Sequence, residues 1–144
     1  MRAIPAVRIW PMSDKIRGFR GKSITQVQAD CFLRDLPKAG GVFSYRSAGL
    51  HTPAGTVVLF QFQARIIAAA VLLRDEKFTS PRAGRRGRLH FDAGSIRTFE
   101  PLDFPAMKKI WPGLRPFGHV KQMLNPTLYA KFRRRSSQQR TIGR

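Results

Sequence analysis

The sequence predicts an α+β domain of about five or six short strands and about three helices, and three observations carry that expectation. The first is the stretch from 40 to 75, GGVFSYRSAGLHTPAGTVVLFQFQARIIAAAVLLRD, which holds the chain's one long apolar run. The second is punctuation: runs with the two-residue period of strands, or with helical spacing, are short and are separated by Gly, Pro, Ser, Asn and Asp. The third is size. A chain of 144 residues suits one domain with a single core, and the basic segments on either side of the central stretch lack the hydrophobic content to build another.

In chain order, residues 6–10 (AVRIW) read as a first strand, closed by Pro11 and followed by a loop at Ser13 and Asp14. Residues 15–22, KIRGFRGK, interleave Lys15, Arg17, Arg20 and Lys22 with Phe19 and two glycines. Such a loop suits phosphate, with Phe19 either stacking on a base or tucked into the core. Ser23 or Thr25 can cap a helix reaching Leu36, with Val27, Cys31, Phe32 and Leu36 on one stripe and Pro37, Gly40 and Gly41 ending it. On that stripe Cys31 reads as a small buried hydrophobe, because no histidine lies near it in sequence to activate a thiol.

Val42 to Tyr45 reads as a short strand ended by the turn residues of 47–55. Residues 56–63 alternate, Phe60 and Phe62 facing one way and Gln61 and Gln63 the other, as in a half-buried strand. Residues 64–73 are apolar on both faces apart from Arg65, which fits a strand covered on both sides. A buried helix is the competing reading, since Ala, Leu and Arg are good helix formers. The alanines leave room for another layer to lie close, which favours the strand and a β-hairpin closing near Gln63 and Ala64.

Residues 78–88, FTSPRAGRRGR, read as a loop carrying Arg82, Arg85, Arg86 and Arg88, mobile until an anion orders it. Residues 89–91 and 95–99 look like two short strands joined in a hairpin through Asp92, Ala93 and Gly94. Asp103 can cap a short helix through Ile110, with Pro105 in its first turn and Trp111, Pro112 and Gly113 as its stop. Residues 117–124 can form a strand. Asn125 can cap a last helix that starts at Pro126, carries Leu128, Tyr129 and Phe132, and runs out into Arg133, Arg134 and Arg135. The expected organisation is one domain over 1–132 and a basic C-terminal tail over 133–144. Part of the arginine cluster would then cap the helix by its dipole.

The formal net charge is +19, from 27 basic and 8 acidic residues, and self-repulsion of that size points to a polyanionic partner, with nucleic acid leading. Residues 104–144 hold ten basic residues and no acid. Cys31 is the only cysteine, so neither an internal disulfide nor a cysteine-built zinc cluster can form, which is compatible with a reducing cytoplasm. No apolar run reaches membrane-spanning length, and proline and arginine interrupt the N-terminal segment where a signal peptide needs an apolar run. A soluble cytoplasmic protein with no membrane partner is the expectation. His51, His90 and His119 are widely separated, and neither a metal site nor a cofactor is expected.

The order of elements resembles the PUA-like superfamily, particularly its EVE and ASCH branches. The likeness rests on a strand ending in an aromatic, a helix, the segment Gly-Val-Phe-Ser-Tyr, and a Pro-Ala-Gly-Thr turn into an apolar strand. A hairpin, a short helix ending at Trp111-Pro112, and Lys121-Gln122 before a last helix complete it. It covers most of residues 6–132; the weight of arginine and the basic segment 79–88 depart from it. The resemblance implies a small mixed β pseudo-barrel with a pocket that holds an unpaired or turned-out base, plain or modified. Candidates for that pocket are Trp10, Ser44, Tyr45, Arg46, Ser47, Gln61, Trp111, Lys121 and Gln122.

A base reader needs an aromatic platform, polar groups for the base edge and cations for the backbone. The cations are Lys15, Arg17, Arg20 and Lys22, the four arginines of 82–88, and Arg133 to Arg135. The two tryptophans also suit a small core, and Lys121, if turned inward, needs an anion or carbonyl partner. The leading expectation is therefore a binding module for RNA or DNA. The alternative is a basic structural component of a ribonucleoprotein. A metal-dependent nuclease using Asp75 with Asp92 or Glu100 is the weaker third, since the acids are scattered and no phosphate-cradling loop or nucleophile motif is present.

Overall fold

In the computed structural model, which describes residues 3–15, 19–46 and 48–142 with side chains to residue 137, a run of five consecutive strands is flanked by helices and two further strands. The order is β1 (Val7–Met12), α1 (24–38), β2 (Val42–Tyr45), β3 (Val57–Phe62), β4 (Arg65–Arg82), β5 (Arg85–Phe91), β6 (Arg97–Leu102), α2 (Phe104–Ile110), β7 (Met123–Leu124) and α3 (Tyr129–Ile142). The fold is α+β, with seven strands rather than five or six. Six of them follow the order β2-β5-β4-β3-β1-β7, and β6 pairs with β4 beside that path. Only β1 and β3 run parallel; the other ladders are antiparallel. Among the described residues no ladder joins β2 to β7, so the sheet is open where a pseudo-barrel was expected. The cause lies in β4: its first half takes β3 and β6 as neighbours and its second half takes β5.

Residues 64–73 settle as strand, and the hairpin turns at Gln63 and Ala64, both left-handed at φ 50° and 60°. Two left-handed central residues make the tight turn whose twist matches the flanking strands. The alternation expected of β3 as a half-buried strand is corrected: all six residues are buried. Gln61 accepts burial because its Nε2 donates to the Gly118 carbonyl at 3.0 Å. Both faces of β3 and of the first half of β4 are covered. One core gathers Phe32, Phe60, Phe62, Ile67, Leu72 and Phe91 on the α1 side. The other gathers Ile9, Leu59, Ile66, Met107, Trp111 and Phe132 on the side of α2 and α3.

Ser23 caps α1, its Oγ accepting from the Gln26 amide at 3.2 Å while the Gln26 side chain accepts from the Ser23 amide at 2.8 Å. The helix widens to π geometry over Gln28–Asp35. There Gln28 donates to the carbonyls of Ile67 at 3.0 Å and Phe99 at 2.8 Å, which ties α1 to β4 and β6. Pro11 does not close β1, which continues to Met12. Its neighbour β7 pairs only with Val7 and Arg8, so the proline's missing N–H faces no strand.

Four further expectations change. The segment 78–88 is not a mobile loop: β4 runs to Arg82, turns through Ala83 and Gly84 at φ 51° and 78°, and returns as β5. Phe78 helps to hold it, with the Arg82 and Arg88 guanidinium carbons 4.2 and 5.2 Å from its ring centre. Residues 89–99 form no hairpin; β5 and β6 each pair with a different part of β4, and Asp92 caps a single 3₁₀ turn between them. Of residues 117–124 only Met123–Leu124 is strand; just ahead of it the Gln122 side-chain amide holds both backbone groups of Arg115. The C-terminal segment is helical through Arg133 to Arg135 and on to Ile142, with Phe132 and Ser136 buried on its inner side.

Candidate nucleic-acid interface

Beyond Gly87 the sheet narrows. β2 pairs with β5 only from Gly87 to His90, so past Tyr45 the outer parts of β4 and β5 continue as a two-stranded ribbon. Lys77, Arg82, Arg85 and Arg86 are exposed on it, and Arg46 follows β2 toward the tip, where the Arg46 side chain lies beside Gly84. Between Lys77 and Arg88 there are five basic residues and no acid. Arg88 is committed differently: its Nε lies 3.3 Å from Glu76, whose carboxylate also meets His90 Nε2 at 2.8 Å. The His90 hydrogen bond first, then Arg88, holds the Glu76 carboxyl below the usual carboxylate range. Glu76 and Arg88 thus pin the base of the ribbon, while the tip cations face solvent.

The other expected phosphate ligands are dispersed. Lys15 and Arg20 are exposed, with Arg20 donating to the Lys15 carbonyl at 3.3 Å. Lys22 is paired with Asp30 at 2.9 Å. Arg133 and Arg134 are exposed on α3 and Arg135 is half-buried. Phe19 takes the core role, edge-on to Phe62 at 5.8 Å. Arg17 and Ser47 lie outside the described residues.

The expected pocket residues are brought together in part: Trp10 lies 5.9 Å from Tyr45 with Lys121 over its ring, while Trp111 stands apart. Trp10 and Tyr45 are buried in one core and Trp111 in the other, where its Nε1 donates to the Asn125 carbonyl at 2.8 Å. Large rings are the cheapest way to fill a small interior, and these are used so. Gln61 and Gln122 are buried on backbone partners, Ser44 is half-buried in β2, and Arg46 belongs with the ribbon. Lys121 has the carbonyl partner its position requires: Nζ donates to Ala48 at 2.6 Å and sits 4.7 Å from the Trp10 ring centre. Burial, then the nearby Arg8, lowers its pKa.

The acids have structural work. Asp75 accepts from the Tyr45 hydroxyl at 2.6 Å and the Leu50 amide at 2.8 Å, which fastens the 48–52 loop to β4. Burial, then Asp75, pushes the Tyr45 pKa up. Asp92 accepts from the Gly94 amide at 3.0 Å, and Glu100 is exposed on β6. Among the described residues no group of three or more His, Cys, Asp and Glu is placed to hold a metal ion. No described helix is long and apolar enough to cross a membrane.

Two concavities adjoin the first part of β4. One, about 440 Å³, is lined by the 51–54 loop and by Leu73, Arg74, Asp75 and Lys77. The other, about 710 Å³, lies between residues 3–5, the Ala54-Gly55 turn, Ala69 to Val71, Gly94 to Arg97, and Tyr129 and Arg133 of α3. Sequence reasoning did not single out Arg74 and Lys77, which line the first concavity, or Arg97, which lines the second. Arg97 and Tyr129 meet only through tertiary packing. The chain matches no protein-family model and no curated protein.

Proposed function

We propose that the protein is a nucleic-acid-binding domain that grips the phosphate backbone with the cations of the β4–β5 ribbon. One observation carries this: four basic residues and no acid, from Lys77 to Arg86, on a two-stranded extension of the sheet. The pairs Lys77 with Gly87 and Arg82 with Arg85 hold the two arms together across an irregular stretch, and a β-ribbon fits the major groove of duplex DNA. Arginine supplies planar, multiple donors that match phosphate oxygens, and its charge does not titrate at neutral pH. Lys15, Arg20, Arg133 and Arg134 widen the cationic surface without forming a site of their own. A PUA-like reading rests on the sequence likeness alone; the α+β class is common to it and the open sheet is not. Base reading at Trp10 and Tyr45 is not part of the proposal, since both rings are in the core. The ribonucleoprotein-spacer reading loses support, because the segment meant to thread among RNA is helical to Ile142.

The test is the salt dependence of binding to RNA and to DNA. In Arg82→Ala/Arg85→Ala/Arg86→Ala the slope of log K against log salt should flatten by about 2–3, with weaker binding at low salt for every sequence. A triple variant with wild-type slope and affinity would overturn the proposal.

A further inference from the structure

We infer that the larger cleft, between α3 and the first half of β4, holds one unpaired nucleotide of the strand whose backbone the ribbon grips. The inference rests on the nucleic-acid reading above and adds a site to it. The cleft's volume of about 710 Å³ falls within the range of small-ligand sites. Its floor is apolar, with Ala69 and Val71 on the face of β4 that packs toward α3, so a flat ring can lie against the strand. Tyr129 is a half-buried wall whose ring stacks on Phe132, the centroids 5.7 Å apart and the planes 27° from parallel. That support fixes an aromatic surface before any base arrives.

The cleft also has charge suited to phosphate. Arg97 is held in place: Nη1 donates to the buried Ser136 Oγ at 3.0 Å, and the guanidinium carbon lies 5.0 and 5.6 Å from the ring centres of Phe99 and Phe132. Arg133 is exposed on α3, one turn from Tyr129. An apolar floor, an aromatic wall and two arginines together match a nucleotide better than an uncharged apolar ligand. Continuity with the ribbon selects a strand. Both concavities are lined by Ala54, and β4 passes from the cleft (Ala69 to Val71) through the second concavity (Leu73 to Lys77) to the tip at Arg82. Along its partner β5, where Phe91 to Arg85 faces Leu72 to Arg82, that path is roughly 20 Å long at about 3.3 Å per residue, with Arg74 and Lys77 along it.

The test uses the full chain and a single-stranded oligonucleotide, as RNA and as DNA, carrying one 5-iodouracil for photocrosslinking. The crosslink should map by mass spectrometry to Tyr129 or to the 94–97 segment. Ala54→Trp, at an exposed position, fills the cleft with little risk to folding, and Tyr129→Ala removes the wall. Both should weaken single-strand binding about tenfold and leave blunt-duplex binding unchanged. Free mononucleotide that competes for the crosslink at low concentration would assign the cleft to a soluble nucleotide and overturn the strand-bound form. If the triple ribbon variant loses binding while both cleft variants bind single strands normally and the crosslink maps elsewhere, the cleft inference fails and the ribbon stands. If the ribbon variant binds normally and the crosslink still maps to Tyr129, the ribbon reading fails and the cleft stands.

Discussion

At the scale of the residue, the side chains that look most like binding groups are the ones the interior needed. Trp10, Tyr45 and Trp111 are aromatic, and nothing in a single sequence separates a ring that stacks on a ligand from one that fills a core. Lys121 was more legible: it lies just before β7 rather than in a strand, but the anion or carbonyl partner it was expected to need is there, at Ala48. Cys31 was legible too. Its thiol is pushed up from 9.0 to about 11, by burial first and by Asp35 second. A raised thiol pKa means the neutral form is favoured in the folded state. The stability this contributes is present below the unfolded pKa and is lost as pH climbs through about 11. At pH 8 an alkylating probe should therefore modify folded protein roughly a hundredfold more slowly than unfolded chain. Equal rates would show that the thiol is not held as described.

Among the elements, those stated by local chemistry were read correctly. Of the two caps left open for α1, Ser23 is the one used; Asp103 with Pro105 and Asn125 with Pro126 each place a cap and a first turn, and a helix or turn begins at each. The ribbon was not legible, because Gly, Pro and four arginines describe a flexible loop in composition. What makes it strand is pairing with β4 and the cover of Phe78, neither of which lies in the local sequence. Both tight turns place an alanine in left-handed geometry, at Ala64 and Ala83. That conformation costs a non-glycine residue about 1–2 kcal/mol. Ala64→Gly should therefore stabilise the protein by about 0.5–1 kcal/mol in urea unfolding, after the added flexibility of the unfolded chain is subtracted. A loss of stability would show that this turn is not the one described.

For the molecule as a whole, charge was the most legible property and topology the least. A surplus of 19 positive charges over a domain of 144 residues must raise its own folding cost, while two cores on opposite faces of one sheet offset it. Thermal unfolding followed by circular dichroism should give a Tm that rises with salt and rises further with added polyanion at low salt. A Tm indifferent to both would mean the cations are already neutralised within the fold. The open sheet could not be foreseen, because it depends on one strand serving three neighbours. The two-residue tip at Ala83 and Gly84 leaves that strand and its return partner free to grow outward. Inserting matched pairs of residues on the two arms would lengthen the reach by about 3.3 Å per pair and disturb neither interior. A single unmatched residue would swap which side of the arm bears its cations. The hairpin is in that sense a ruler, and its length sets how far from the body an anion can be held.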